Sequence, residues 1–259
     1  MIPGPETSLP PLTRRLIGWE IVVVFSVSLG RSAVFAIINL IGSLTAGKAL
    51  GKQQALLVGS LAPGRPWLDL TLQLTSILFT LAPVALVFYL MARDGEPLSV
   101  MGLDTTRPGQ DAARGAVLAA LIGGAGLGLY LAAFGLGISL NVVPENLPAV
   151  WWRIPVLVLD GIQNGVLEEI LVIGYLLRRL DQLGWTAQRA IVASALLRGS
   201  YHLYQGFGGF LGNAAMGLIF GVLYRRWGRV TPMIIAHSLI DIVAFTGYAV
   251  LHGHVSWLP

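Results

Sequence analysis

Seven apolar runs divide this chain, at about residues 16–44, 68–92, 112–136, 154–177, 187–204, 207–224 and 231–251. A helix rises about 1.5 Å per residue, so crossing the roughly 30 Å hydrocarbon core of a bilayer takes about 20 largely apolar residues. Repeated runs of that length leave too little polar surface for a chain dissolved in water. Of the 259 residues, 55% are hydrophobic and 12% charged, with a mean hydropathy of +0.73. In hydrocarbon every backbone N–H and C=O must be satisfied within the protein, and a helix does this segment by segment. The expectation is an all-α, polytopic transmembrane helix bundle of seven to eight spans. The first run is long and holds Glu20 and Arg31, which points to a tilted, extended or broken segment. A partial eighth segment fits near residues 50–62.

This divides the chain into a polar, Pro-rich lead (1–15), N-terminal transmembrane helices (16–153), a second set of helices (154–251) and a tail (252–259). "TRRLIG" near the start has the look of a twin-arginine signal, but the apolar stretch after it is too long for a cleaved leader and reads as a retained span. The net charge of +4 raises the question of nucleic acid. The basic residues sit at the ends of apolar runs, with no stripe of exposed aromatics between them, so they read as topology signals and no nucleic-acid partner is expected. Arg14, Arg15, Arg93, Arg107, Arg114, Arg178, Arg179, Arg189, Arg225, Arg226 and Arg229 share one side, against Lys48, Lys52, Arg65 and Arg153 on the other. That bias puts the N-terminus in the cytosol and the C-terminus outside, in an integral protein of the plasma (inner) membrane surrounded by lipid. With no cysteine, disulfides, thiol catalysis and thiolate metal sites are excluded.

Gly161/Gly165, Gly208/Gly212 and Gly217/Gly221 have the four-residue spacing that lets helices approach closely. "GGAGLG" at 123–128 follows no strand, so helix packing is expected there rather than nucleotide binding. No internal repeat supports an inverted-repeat transporter.

The expensive residues fall in the last four runs. The fourth holds Asp160, Asn164, Glu168 and Glu169; the fifth Arg198 and His202; the seventh His237 and Asp241. A carboxylate at the centre of a membrane helix costs roughly 2.5–3.5 kcal/mol, so two in succession must be hidden, paired or used. Arg198 and His202 lie four apart on one helix face, as do His237 and Asp241, so the three helices' polar pairs are expected to meet. Counting from the nearest basic residue puts Glu168 about 15 Å deep, His237 about 12 Å and His202 about 20 Å. One cavity, open towards the cytosol, could hold all three. Asp160 lies nearer the outer end and reads as structural; His252 and His254 read as exposed.

Across residues 155–245 the sequence resembles the CPBP family of intramembrane proteases, the CAAX prenyl endopeptidases and bacteriocin-processing (Abi) enzymes. Glu168–Glu169 match the paired glutamates of its EExxxR motif, His202 the histidine of FxxxH, and His237 with Asp241 the last motif, Hxxx followed by Asn or Asp. Ile173 stands where the first motif has Arg, and Arg198 where the second has Phe. The two departures read as one exchange, with Arg198 replacing the lost arginine as partner of Glu169.

The resemblance implies an endopeptidase acting on a membrane-associated peptide or protein near its cytosolic face. Glu168 would be the general base, His202 would help orient the water, and His237 would donate to the oxyanion. Asp241 would either stay protonated or, as expected here, orient His237 by accepting its other N–H. Glu169, Arg198 and Asn164 would support them. No cofactor is implied. Two Glu and two His could ligate zinc, but the resemblance favours a metal-free reaction. The alternatives are a non-catalytic scaffold or bacteriocin-immunity-type protein of the same fold, and a proton-coupled transporter with Glu168, His202 and His237 as relay. The substrate and oligomeric state are not legible.

Overall fold

The computed structural model describes residues 11–255. The rest of the expected lead and tail lies outside them. The described chain is nearly all helix: α1 (Pro11–Ser26), α2 (Leu29–Thr45), α3 (Pro66–Thr80), α4 (Ala82–Arg93), α5 (Pro108–Gly135), α6 (Arg153–Glu168), a π-helical segment (Glu169–Tyr175), α7 (Leu176–Gln182), α8 (Ala187–Tyr201), α9 (Phe207–Trp227) and α10 (Thr231–Leu251). Pro66, Pro108 and Pro232 open their helices, where a missing N–H costs nothing.

Four helical stretches are long and apolar enough to cross a membrane: Pro66–Arg93, Pro108–Gly135, Phe207–Trp227 and Thr231–Leu251. The bent pair α1–α2 makes a fifth, with 53° between its halves. The first run is therefore broken, and local chemistry explains where. Ser26 and Ser28 turn their hydroxyls back onto the carbonyls of Val22 and Val24, both at 2.6 Å, which bends a helix. The runs expected at 154–177 and 187–204 are helical but fall outside this set. The first carries Asp160, Glu168 and Glu169, and α8 is only 15 residues long. The partial segment near 50–62 is not a span. It forms a 3₁₀ turn (Leu50–Lys52) and a strand, β1 (Gln54–Val58), parallel to β2 (Asn141–Glu145).

Lipid-facing character is written on the outside. Val117, Leu121, Val222, Val243 and Val250 are each more than half exposed, while Glu169, Arg198 and Arg179 are among the most deeply buried side chains. α6 packs on α10 through its glycines: a Cβ on Gly165 would sit 2.8 Å from the Ser238 nitrogen, and one on Gly161 2.9 Å from that of Ile242. α8 and α9 form a hairpin that closes likewise at Gly217 and Gly221, the latter 2.9 Å from Ile191. Of the glycines at 123–128, Gly123 faces α10, where a Cβ would sit 3.5 Å from Ile240, while Gly124, Gly126 and Gly128 meet nothing within 4 Å; the closer approach of α5 to α10 is at Gly115.

The basic residues gather at one end in ion pairs. Arg179 lies between Glu20 (2.8 Å) and Asp94 (2.7 Å), Arg178 meets Glu96 (2.7 Å), and Arg225 pairs with Asp181. At the same end Arg229 grips Asp111 at 2.6 Å and Asp104 at 3.0 Å, clamping the α4–α5 loop to the α9–α10 loop. Gly102, at φ +66°, lies so close against the Gly228–Arg229 backbone that no side chain fits. The two strands occupy the opposite end, where Glu145 pairs with Arg153.

Candidate active site

α6 would run on as a regular helix but for one extra residue per turn between Glu169 and Tyr175. Within the wider π turn the Val172 carbonyl accepts a hydrogen bond from the Ser194 hydroxyl of α8 at 2.9 Å. Such bulges concentrate at functional sites because they re-aim neighbouring side chains. Here Glu168 and Glu169, successive residues, both reach the same guanidinium.

Arg198 donates to Glu169 Oε1 and stands 3.7 Å from Glu168 Oε2. Its plane lies over the Phe220 ring, 5.5 Å from the centroid, and the side chain is wholly buried. Arg198 of α8 thus meets Glu169, the pairing expected from the sequence, while Ile173 packs fully buried among Leu171 and Val172.

The two histidines flank this pair of carboxylates. His202, at the C-terminal end of α8, brings Nε2 to 3.7 Å from Glu168 Oε2, and its Nδ1 faces the Gln205 amide at 3.3 Å. His237 sets Nδ1 2.7 Å from Glu169 Oε1. Since a carboxylate only accepts, that nitrogen carries the hydrogen. Asp241 was expected to orient His237, but its Oδ1 is 3.8 Å from Nε2, beyond hydrogen-bond reach. It accepts instead from Asn164 Nδ2 at 2.9 Å, so Glu169 is the residue that fixes the ring. Asp160 keeps one buried carboxylate oxygen without a partner among the described residues; His252 and His254 are exposed.

Tyr201 escaped the sequence reading. Its buried hydroxyl donates to Glu168 Oε2 at 2.7 Å, and its ring tilts against His202 with centroids 4.8 Å apart. A tyrosine beside a histidine in an apolar helix carries no spacing signal, so only the fold reveals it.

Access differs from expectation. Towards the basic end, Ile170, Leu171, Val172, Ile173, Tyr175 and Leu177 are all 0–2% exposed and seal the cluster off. A groove of about 520 Å³ lies at the strand end, between α2 and β1, and reaches Tyr204, whose ring stacks on His202. Among the described residues no group of three or more His, Asp or Glu is arranged to hold a metal ion.

Residues 150–243, which span α6 to α10 and hold every one of these groups, match the family described as type II CAAX prenyl endopeptidase Rce1-like. The resemblance carried by the three motifs is real over that segment. No curated protein and no solved structure matches the chain.

Proposed function

We propose, with the Rce1-like segment as premise, that the chain is an intramembrane endopeptidase that cleaves a membrane-associated peptide or protein with water activated by Glu168. One observation carries the reading. Both glutamates, both histidines and Arg198 of widely separated helices converge in a single buried cluster within the matched residues. Hiding so many ionisable groups in a membrane protein is costly unless they act together.

In this reading Glu168 Oε2 is held by Tyr201, and Oε1, which takes no hydrogen bond from the described residues, receives the water proton. His202 orients that water from the other side. The attacked carbonyl becomes an oxyanion that meets His237 Nε2, the ring nitrogen turned away from Glu169, with the ring doubly protonated. Collapse of the tetrahedral intermediate breaks the C–N bond as Glu168 returns its proton to the leaving amine. Glu169 and Arg198 position the histidine and balance the charge; Asn164 and Asp241 border the cluster. The reaction needs no metal. The helix from Arg153 to Gln182 and α8, which turn polar groups inward and leave Leu159, Ile162, Val192 and Leu196 exposed, are taken as two further spans, which makes seven. The N-terminus lies in the cytosol of the plasma membrane.

The test compares purified wild type with Glu168→Ala, both shown to be folded, on a library of membrane-associated peptides that includes prenylated and leader-type sequences, read by mass spectrometry. Cleavage by wild type alone, surviving exhaustive chelation, is the expected result. Zinc-specific rescue after chelation would overturn the metal-free chemistry. Binding without cleavage would favour a non-catalytic scaffold, and uptake that collapses with the proton gradient a transporter.

A further inference from the structure

A protease acts on extended chain, since only then can water and oxyanion donor reach one peptide bond together. The two strands at the groove offer the means to hold it so. The Gln53 carbonyl accepts from the Asn141 N–H at 2.9 Å, and Gln54 lies opposite Asn141 in the parallel register. In a parallel pair, alternate residues face the partner, so Gln53 and Ala55 turn towards β2 while Gln54 and Leu56 turn their N–H and C=O away. No hydrogen bond among the described residues takes these groups up. The outer edge of β2 is different: Val142 N–H is capped by the Tyr130 hydroxyl at 3.1 Å, and Pro144 has no N–H to give. Proteins routinely blunt strand edges in this way, because an open edge recruits another strand. Here one edge is blunted and the other is left open.

Of the open edge, Gln54 lines the groove, with Ala55, Leu140 and Tyr204 beside it and Ile38, Asn39 and Ser43 of α2 across from it. The Gln53 amide spans to the Ser43 carbonyl at 2.8 Å and closes one end. Tyr204 and His202 stack at 6.3 Å between centroids, and the Gln205 amide bridges the Tyr204 hydroxyl and His202 Nδ1. The strands are also fixed relative to the site. Leu140 N–H bonds the Gln205 carbonyl at 3.1 Å, and Phe207 N–H bonds that of Ile138 at 3.0 Å. Gly206 between them has φ +94° and pairs with Ser139 so closely that a Cβ would lie 2.8 Å from its Cα.

We propose that the outward edge of β1 is the substrate-binding edge, on which an extended segment of the cleaved polypeptide adds as a third strand and is led past Tyr204 to Glu168 and His202. The occupant is a peptide backbone, because what the edge leaves unpaired is backbone N–H and C=O alternating at strand spacing. The inference rests on the endopeptidase reading above and names how its substrate is held.

The experiment takes one peptide that wild type cleaves in the library screen and replaces its backbone amides by N-methyl amides, one at a time. The expected pattern is a KM raised roughly three- to tenfold at two positions two residues apart, with little change between them and kcat within about twofold. Leu56→Pro removes one outward N–H without touching a β1–β2 bond; it should raise KM by a similar factor with its thermal midpoint unchanged. Methylating the substrate amide that donates to the carbonyl of position 56 should carry its penalty in this variant too, because proline removes the N–H and keeps the carbonyl. If Leu56→Pro fails to fold, the N-methyl scan on wild type still decides. Cleavage that is indifferent to N-methylation away from the scissile bond overturns the edge proposal and leaves the protease intact. Failure of wild type to cleave any peptide overturns the protease reading and this proposal with it.

Discussion

Glu169 illustrates how much a single buried residue can be asked to do. It is fully buried, accepts from Arg198, and fixes His237 at 2.7 Å. Removing one partner of a buried pair leaves a charge uncompensated and typically costs about 3–5 kcal/mol. Arg198→Ala and Glu169→Gln should therefore each lower stability substantially, and the double variant should lose less than the two together, as read from unfolding of the purified protein in detergent. Strictly additive losses would sink the pairing. This contact was legible in the sequence because a missing arginine and a surplus one lay in consecutive helices. The partner of His237 was not. Asp241 is four residues away and looked sufficient, yet sequence spacing fixes only which face a side chain shares, whereas Glu169 arrives from another helix, 68 positions distant in the chain.

Elements follow the same division. The long apolar helices and the close approach at Gly161 and Gly165 are written in local chemistry, and were readable; that the first run breaks, and does so after Ser26, was one of three alternatives the sequence left open. The strands were not readable, because five residues such as "QALLV" and "NVVPE" become a pair only when the fold brings segments nearly ninety positions apart side by side. Nor was the π turn, whose signature is register rather than residue type. Loops at the basic end carry a further dependence. The Thr106 hydroxyl and N–H, with the Arg229 guanidinium beside them, hold the Asp104 carboxyl down to about 2, against an ordinary value near 3.9. A group held lower in the folded state stabilises above its unfolded value and loses that contribution as the pH falls through the folded one. Asp104→Asn should thus lower the thermal midpoint at pH 6, and the gap to wild type should narrow as pH drops from about 5 to 2. A gap that does not change with pH would show the carboxylate has no part in the clamp.

For the molecule as a whole, the arrangement is inside-out only on its lipid face. Apolar helices ring a polar interior, and the basic end is closed by ion pairs and a plug of buried side chains. Because the chain has no cysteine, single substitutions report topology without background. Asn146→Cys and Trp185→Cys, at the two ends of the helix from Arg153 to Gln182, should react with a membrane-impermeant thiol reagent from opposite faces of sealed vesicles. Labelling of both from one face would mean that this helix does not cross. The composition made the bundle plain from the start, but not the side from which its interior is reached. That depends on which buried layer seals, and a hydropathy profile does not distinguish a plug from a path.

The surplus residue in the π segment has a consequence for how such a chain can change. Upstream of it, α6 is clocked to the carboxylate cluster; downstream, α7 is clocked to Glu20, Asp94 and Glu96. A regular helix would gear the two ends together, so that any rotation improving one would spoil the other. The π turn works as a slipped tooth between them, and each half can be tuned by mutation without retiming its opposite.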